Sequence, residues 1–170
     1  MSKTFLMIFK FLSKNFYISS SIVALIYFLD RLSKIYVIQL DKNNLGSDIF
    51  NSTYLNIVLI WNKGIAFGLL SFSESYLYNI ISFIIVIIII VLVIMSLKSQ
   101  GFKRYSLLMI VGGALGNLHD RFFFNAVPDF IDFHIGNFHW FIFNVSDIFI
   151  TLGVISMIIL ELFDNKNEKI

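Results

Sequence analysis

A single apolar run constrains this chain more than any other feature. Residues 76–97 read YLYNIISFIIVIIIIVLVIMSL and contain no charged side chain. An α-helix rises about 1.5 Å per residue, so a run of this length crosses the hydrocarbon core of a bilayer, which is about 30 Å thick. The run therefore predicts a transmembrane helix and places the chain among membrane proteins.

Three further segments, residues 16–40, 105–122 and 141–163, have the length and hydrophobicity of membrane spans. If four helices alternate in direction, most of the basic residues fall on one side of the membrane, in the two tails and the short connection after residue 97: Lys3, Lys10, Lys14, Lys98, Lys103, Arg104, Lys166 and Lys169. By the positive-inside rule that side is the cytoplasm, and both termini lie there. We therefore expect a mainly α, membrane protein of four transmembrane helices, with residues 1–170 forming a single domain.

The segments between the spans differ from them in composition. Residues 41–75 combine a turn-rich start with TYLNIVLIW, a β-branched and aromatic stretch typical of a strand. We expect a small extramembrane β-sheet there, between helices 1 and 2, with its apolar face on the membrane surface. For residues 125–140 we expect a short loop, in which the alternation from Val127 to Phe133 indicates extended chain and Pro128 biases Val127 away from helix.

Polar chemistry is concentrated in residues 111–147. This stretch holds four of the 11 acidic residues, all 3 histidines and the single proline. An ionised side chain in the middle of a membrane helix costs about 2.5–3.5 kcal/mol on insertion scales. Such a cost is usually tolerated for function, and the predicted topology gathers these groups and Asp30 at the outer face, so we interpret the stretch as a site.

The spacing of these residues indicates how the site is built. Gly112 and Gly116 form a G-x-x-x-G pattern, whose small residues let membrane helices approach closely. Asn117, Asp120 and Arg121 follow on one helical face, and Arg121 could pair with Asp120 or with another carboxylate. Asp30 and Lys34 stand at i and i+4, either as a helical ion pair that supports the site or as a snorkelling pair at the bilayer edge.

Asp129 and Asp147 suit a two-carboxylate mechanism because they come from different segments and can face each other. Two close carboxylates share a proton, so that one can activate water while the other polarises a carbonyl. Asn117 and Asn144 are neutral donors that could orient the pair. The alternative is structural, since Asn144 and Asp147 near a helix start are also ordinary capping residues.

Other chemistries fit less well. The chain has no cysteine, and therefore no thiolate nucleophile or thiolate metal site. The combination of Asp132, His134 and His139 matches no standard metal-binding spacing, so we expect neither a metal nor a cofactor. A net charge of +2 does not argue for nucleic acid.

Five motifs together carry a family resemblance. They are D-R-L-S-K at 30–34, N-K-G-I-A-F-G at 62–68, G-G-A-L-G-N-L-H-D-R at 112–121, V-P-D-F-I-D-F at 127–133 and F-N-V-S-D at 143–147. In this order and across almost the whole chain, they resemble lipoprotein signal peptidase (signal peptidase II), the bacterial membrane aspartic peptidase family.

The resemblance implies an intramembrane aspartyl endopeptidase of the bacterial inner membrane, with its active site at the periplasmic face. It would remove signal peptides from prolipoproteins, cleaving before a cysteine that already carries diacylglycerol. The resemblance also implies inhibition by the cyclic peptide globomycin, a periplasmic sheet at 41–75 that cradles the substrate, and a short helix in the last loop that acts as a flap. It assigns the catalytic pair to Asp129 and Asp147. The family positions that support the dyad or bind substrate are Asp30, Lys34, Asn62, Gly64, Asn117, Asp120, Arg121 and Asn144, of which Asp120 is the more structural.

Three positions depart from the family pattern: Lys63, Pro128 and Ser146. Pro128 removes an N–H beside Asp129, and the hydroxyl of Ser146 could hydrogen-bond the dyad.

The sequence is also compatible with two other functions. A proton- or ion-coupled transporter also uses carboxylates at membrane depth, although the sequence has no internal repeat. A noncatalytic scaffold would use only the G-x-x-x-G face.

Overall fold

The structure is a computed structural model that describes residues 3–44, 49–64 and 75–167. This part of the chain forms four helices and a three-stranded antiparallel sheet. In chain order the elements are α1 (Lys3–Asn43), β1 (Leu55–Asn62), α2 (Ser75–Lys98), α3 (Gly101–Phe124), β2 (Val127–Ile135), β3 (Phe138–Phe143) and α4 (Val145–Asn167). Residues 65–68 of the second motif lie outside the described residues.

Helix α3 is the central helix, since it packs against α1, α2 and α4. The apolar contact with α2 is built on Ile89, Val111 and Leu118. On its other faces the predicted small residues allow close approach: a Cβ on Gly112 would lie 2.9 Å from Cβ of Ile26 on α1. A Cβ on Gly116 would lie 2.6 Å from Asp30 Oδ2, so the G-x-x-x-G face is where the site-bearing helices meet.

The sheet differs from the prediction in its composition. Strand β1 lies within 41–75 as expected, but its partner is β2, with Asn62 opposite Val127 and Leu55 opposite Phe133. Strand β3 then pairs with β2 in a hairpin that turns at Gly136 (φ 59°). The expected loop at 125–140 is therefore mostly strand, and the described residues between α3 and α4 contain no flap helix.

Two helices also begin at residues other than the predicted starts of their spans. Helix α4 begins at Val145 and not at residue 141, because residues 138–143 are bulky, aromatic and paired with β2. Helix α1 is 41 residues long and continues through the basic N-terminal segment, which we had expected to lie outside the first span. At about 1.5 Å per residue it is roughly twice as long as a bilayer core is thick.

Two of the described helices are long and apolar enough to cross a membrane, Tyr78–Lys98 and Val145–Phe163. Helices α1 and α3 carry charged residues that are buried between helices, among them Asp30, Lys34 and Asp120. The outward side of α1 is nevertheless apolar, with Leu25, Phe28, Leu32 and Ile35 exposed. The charged side chains of α1 therefore face the other helices and its apolar side chains face outward, as in a helix that contacts lipid.

Candidate active site

Asp129 and Asp147 come together through Asn144. Asp129 lies at the start of β2, and Asp147 lies in the first turn of α4. The Asn144 side-chain amide donates to Asp129 Oδ1 at 2.6 Å, while its backbone N–H donates to Asp147 Oδ2 at 3.1 Å. One residue at the junction of sheet and helix therefore holds both carboxylates.

The capping interpretation of this junction is also confirmed. Besides accepting the Asn144 N–H, Asp147 donates its own backbone N–H to Asn144 Oδ1 at 3.1 Å. This reciprocal pair is a capping box, which satisfies donors that the first turn of α4 would otherwise leave unpaired. The cap fixes where Asp147 stands, so the structural role and a chemical role are compatible.

Two further amides complete the set around the carboxylates. Asn62, at the end of β1, donates to Asp129 Oδ2 at 2.9 Å, and Asn117, on α3, donates to Asp147 Oδ1 at 2.8 Å. Each of the four carboxylate oxygens thus accepts one hydrogen bond from an amide. Neutral donors hold the geometry without neutralising either acid, which leaves the pair free to exchange a proton.

The pKa of Asp129 is raised from its ordinary value of 3.8 to about 6. Burial is the largest cause, because it removes water from the charged form, and the negative charge of Asp147 is the second. The amides of Asn62 and Asn144 act in the opposite direction but do not cancel these effects. Asp129 therefore keeps its proton to a higher pH than an ordinary aspartate does, with half of it lost at about pH 6.

Both aspartates line one cavity of about 240 Å³. Its polar wall is formed by the dyad with Asn62, Asn117 and Asn144, and its apolar wall comes from α2, α3 and α4. A second cavity of about 410 Å³ also reaches Asp147, and its lining is largely aromatic: Phe133, Trp140, Phe141 and Phe143, with Ile148 and Leu152. The carboxylates thus stand where a polar pocket adjoins an aromatic one.

A buried ion network lies beneath the dyad. Lys34 Nζ, with its side chain 1% exposed, contacts Asp30 Oδ1 at 2.9 Å, Asp120 Oδ2 at 2.6 Å and Asn117 Oδ1 at 2.9 Å. The Asp30–Lys34 pair is therefore an internal ion pair and not a snorkelling pair. Because Lys34 also holds Asn117, it links the network to Asp147.

Arg31 is a member of this network that the sequence interpretation missed. Its guanidinium binds Asp120 through both carboxylate oxygens and also contacts Asp30 Oδ2 at 2.8 Å. The signal was present in the D-R-L-S-K motif, since a cation next to a buried acid needs its own partner. Asp30 in turn accepts the backbone N–H of Ser146 at 3.0 Å and so anchors the start of α4.

Arg121 does not pair with Asp120, which was one of the pairings we had considered. Asp120 is engaged by Arg31 and Lys34, and Arg121 Nη2 donates to the carbonyl of Gly64 at 2.5 Å. The guanidinium lies 5.2 Å from the ring centroid of Tyr78 and lines the 240 Å³ cavity. Gly64 also donates its N–H to Asn62 Oδ1 at 2.8 Å. Arg121 and Asn62 therefore fix the end of β1 beside the dyad.

The structure accounts for one of the two unusual neighbours of the dyad, Pro128. Pro128 pairs with Trp61 of β1, and it precedes the part of β2 that β3 covers, so the N–H it lacks costs no ladder bond to β3. We had considered a hydrogen bond from the Ser146 hydroxyl to the dyad, but this hydroxyl is buried and has no hydrogen-bond partner among the described residues.

Comparison with known proteins relates this chain to a protein family. Residues 22–163 match the family described as signal peptidase (SPase) II. The lipoprotein signal peptidase of Pelagibacter ubique (strain HTCC1062) is 48% identical over 159 residues, which cover 92% of this chain and 96% of that protein. The lipoprotein signal peptidase of Anaplasma phagocytophilum (strain HZ) is 43% identical over 137 residues, or 79% of this chain and 85% of that protein.

A solved structure gives the same result at the level of the fold. A bacterial membrane enzyme determined by the in meso method at 2.3 Å resolution superposes with a TM-score of 0.73 at 32% identity, covering 88% of this chain and 90% of the other. The motifs that form the site fall inside the matched region. The chain belongs to the signal peptidase II family.

Proposed function

We propose that this protein is an intramembrane aspartyl endopeptidase that removes signal peptides from diacylglyceryl-modified prolipoproteins and cleaves on the N-terminal side of the lipidated cysteine. Membership of the signal peptidase II family supports the substrate class. The single observation that carries the mechanism is that Asn144 holds Asp129 and Asp147 at one cavity.

The chemistry follows from a proton that the pair shares. The ionised carboxylate takes a proton from a water molecule, which attacks the scissile carbonyl, while the protonated carboxylate donates to the carbonyl oxygen. Collapse of the tetrahedral intermediate breaks the C–N bond as the leaving nitrogen receives a proton from the pair. No covalent intermediate with the protein forms.

Charge balance in the buried site supports one shared proton. The site gathers four carboxylates and three cations: Asp30, Asp120, Asp129 and Asp147 with Arg31, Lys34 and Arg121. With one proton on the dyad this set is neutral, and with both acids ionised it carries one negative charge. A net charge in a site of low dielectric constant is costly, so burial favours the neutral form with one proton on the dyad.

The aromatic cavity beside Asp147 suits an apolar part of the substrate. It is lined by aromatic residues of β2 and β3 and by residues of α4, and Asp147 itself is part of the lining. Such a surface would hold an apolar chain of the lipidated peptide next to the carboxylate of Asp147. Arg121 and the end of β1 border the polar cavity and would hold the peptide backbone.

We further propose that all four helices span the bacterial inner membrane, with both termini in the cytoplasm and the site at the periplasmic face. The excess of lysine and arginine in the tails and the 98–104 connection supports this orientation. The inward-facing charges of α1 and α3 explain why these two helices do not read as uniformly apolar. Nothing in the described residues favours the transporter or the scaffold.

The direct test is to incubate the purified protein in lipid or detergent with a prolipoprotein that carries diacylglycerol on its lipobox cysteine. We expect a mobility shift that matches loss of the signal peptide, and we expect globomycin to prevent it. The same prolipoprotein without the lipid is the matched control and should stay uncleaved. Cleavage elsewhere than before the cysteine, or no cleavage of the lipidated form, would contradict the proposal.

A further inference from the structure

A second group of chemically active side chains lies on the β2–β3 hairpin. Asp132, His134 and His139 each place a potential ligand atom within 4.8 Å of the other two. The register explains why: His134 lies directly opposite His139, and Asp132 lies two residues before His134 on the same strand. Residues at i and i+2 of a strand share a face, so the hairpin brings together three side chains whose linear spacing matches no standard motif.

The hydrogen bonds of this group are incomplete. His139 Nδ1 lies 2.9 Å from Asp132 Oδ2, and the Asn56 amide donates to the same oxygen at 3.2 Å. His134 is only 8% exposed, yet its Nδ1 has no hydrogen-bond partner among the described residues. A buried imidazole nitrogen without a partner is costly, and an Asp132–His139 hydrogen bond alone leaves it unexplained.

From these observations we propose that the hairpin binds one divalent transition-metal ion, with zinc as the best match, through Asp132, His134 and His139. Two imidazole nitrogens and one carboxylate form a ligand set that zinc accepts, and a water molecule would complete a tetrahedron. Ligand atoms at zinc distances lie about 3.4 Å apart in that geometry. The ion would take the place of the proton between His139 and Asp132.

The surroundings permit such an ion to enter and to be held. The His139 side chain is 54% exposed, so one ligand faces solvent, while the Asp132 side chain is 6% exposed. Asn56 on β1 orients the carboxylate from behind, as partners of metal ligands commonly do. The rings of His134 and His139 are stacked at 4.9 Å, so the exposed His139 ring has to rotate out of the stack for both imidazoles to bind one ion.

A bound ion would tie β2 to β3 on the same strand that carries Asp129 three residues earlier. It would stabilise the folded hairpin, since an ion that binds only the folded state shifts unfolding by mass action. This site stands apart from the dyad and its cavities and does not rest on the proposed peptidase activity.

The test uses the full chain without an affinity tag, purified in detergent micelles and stripped with a chelator. Zinc is added in a calorimetric titration, and cobalt is added as a spectroscopic probe of tetrahedral ligands. We expect one zinc ion per chain, tetrahedral cobalt bands, and a melting temperature that rises with zinc. The variants His134→Gln and His139→Gln should each weaken zinc binding at least tenfold and abolish the melting shift.

The matched control is His119→Gln, which changes the third histidine of the chain. His119 lies on α3, where its Nδ1 contacts the hydroxyl of Tyr27, so this variant should bind zinc as the parent does. Absence of saturable zinc binding in the parent would overturn the proposal. Equal binding by the parent and both hairpin variants would overturn it as well, and since these readouts need no substrate, failure here leaves the peptidase proposal intact.

Discussion

Replacing Asp129 by asparagine should make the protein more stable at high pH and less stable at low pH. Asparagine has one acceptor oxygen, whereas Asp129 accepts from both Asn62 and Asn144. The variant therefore loses about one hydrogen bond, worth roughly 1 kcal/mol, at every pH. The variant also gains stability at high pH, because no buried charge forms at this position.

The size of that gain follows from the raised pKa. A pKa of about 6 against an ordinary value of 3.8 means that the folded state holds the proton more tightly than the unfolded chain. As pH rises from about 4 to above 6, ionisation therefore costs the folded parent about 3 kcal/mol, at ~1.4 kcal/mol for each tenfold change in the ionisation constant. Asp129→Asn should thus be about 1 kcal/mol less stable near pH 4 and about 2 kcal/mol more stable near pH 8.

The assay is thermal unfolding in micelles across this pH range, followed by the fluorescence of Trp61 and Trp140, which both lie in the sheet beside the dyad. For a chain of this size about 1 kcal/mol corresponds to a shift of roughly 2–4 °C. Comparing variant and parent at each pH cancels the titration of groups that the substitution leaves alone. A stability difference that stays constant from pH 4 to pH 8, or that moves in the opposite direction, would refute the reasoning about Asp129.

Three further predictions concern the ion network, the helix contact and the pH–rate profile. Lys34→Met should destabilise the protein by about 3–5 kcal/mol in chemical or thermal unfolding, because it removes a buried cation that Asp30 and Asp120 share. The control Lys42→Met, at the exposed end of α1, should change stability by less than about 0.5 kcal/mol. Similar effects of the two variants would show that the ion network contributes little to stability. Gly116→Ala should reduce both stability and processing, since its Cβ would press on Asp30 and on the Ser146 hydroxyl, and a variant that melts and cleaves like the parent would disprove this close contact. In the free enzyme kcat/KM should fall as pH rises through about 6, where the shared proton is lost, and a profile that is still rising above pH 8 would contradict a dyad that needs that proton.

Local pattern was sufficient to predict the helices and the part of the candidate site that lies within helices. The uncharged run at 76–97 and the small residues at Gly112 and Gly116 correspond to α2 and to the contacts of α3. The i, i+4 spacing of Asp30 and Lys34 likewise predicted their ion pair. These features depend on positions three or four residues apart in one helix, where sequence distance determines spatial distance.

Most of the differences concern pairings between strands or helices, which spacing within one element does not determine. The hairpin at 127–143 looked like a loop and a helix start, because strand pairing with β1 is decided by residues some 70 positions away. Arg121 was considered as a partner for Asp120, but Asp120 is taken by Arg31, which lies on a different helix. Linear spacing gave no reason to expect Asp132, His134 and His139 to be neighbours, and the register of the hairpin is what brings them together.

The central claim is that Asp129 and Asp147 together activate one water molecule. It is tested most directly by single-turnover processing of a diacylglyceryl-modified prolipoprotein by Asp129→Asn and by Asp147→Asn, each compared with the parent at equal amounts of folded protein. We expect each variant to lose at least a thousandfold in rate while it still binds the substrate. A variant of either aspartate that keeps a tenth or more of the parent rate would contradict the account.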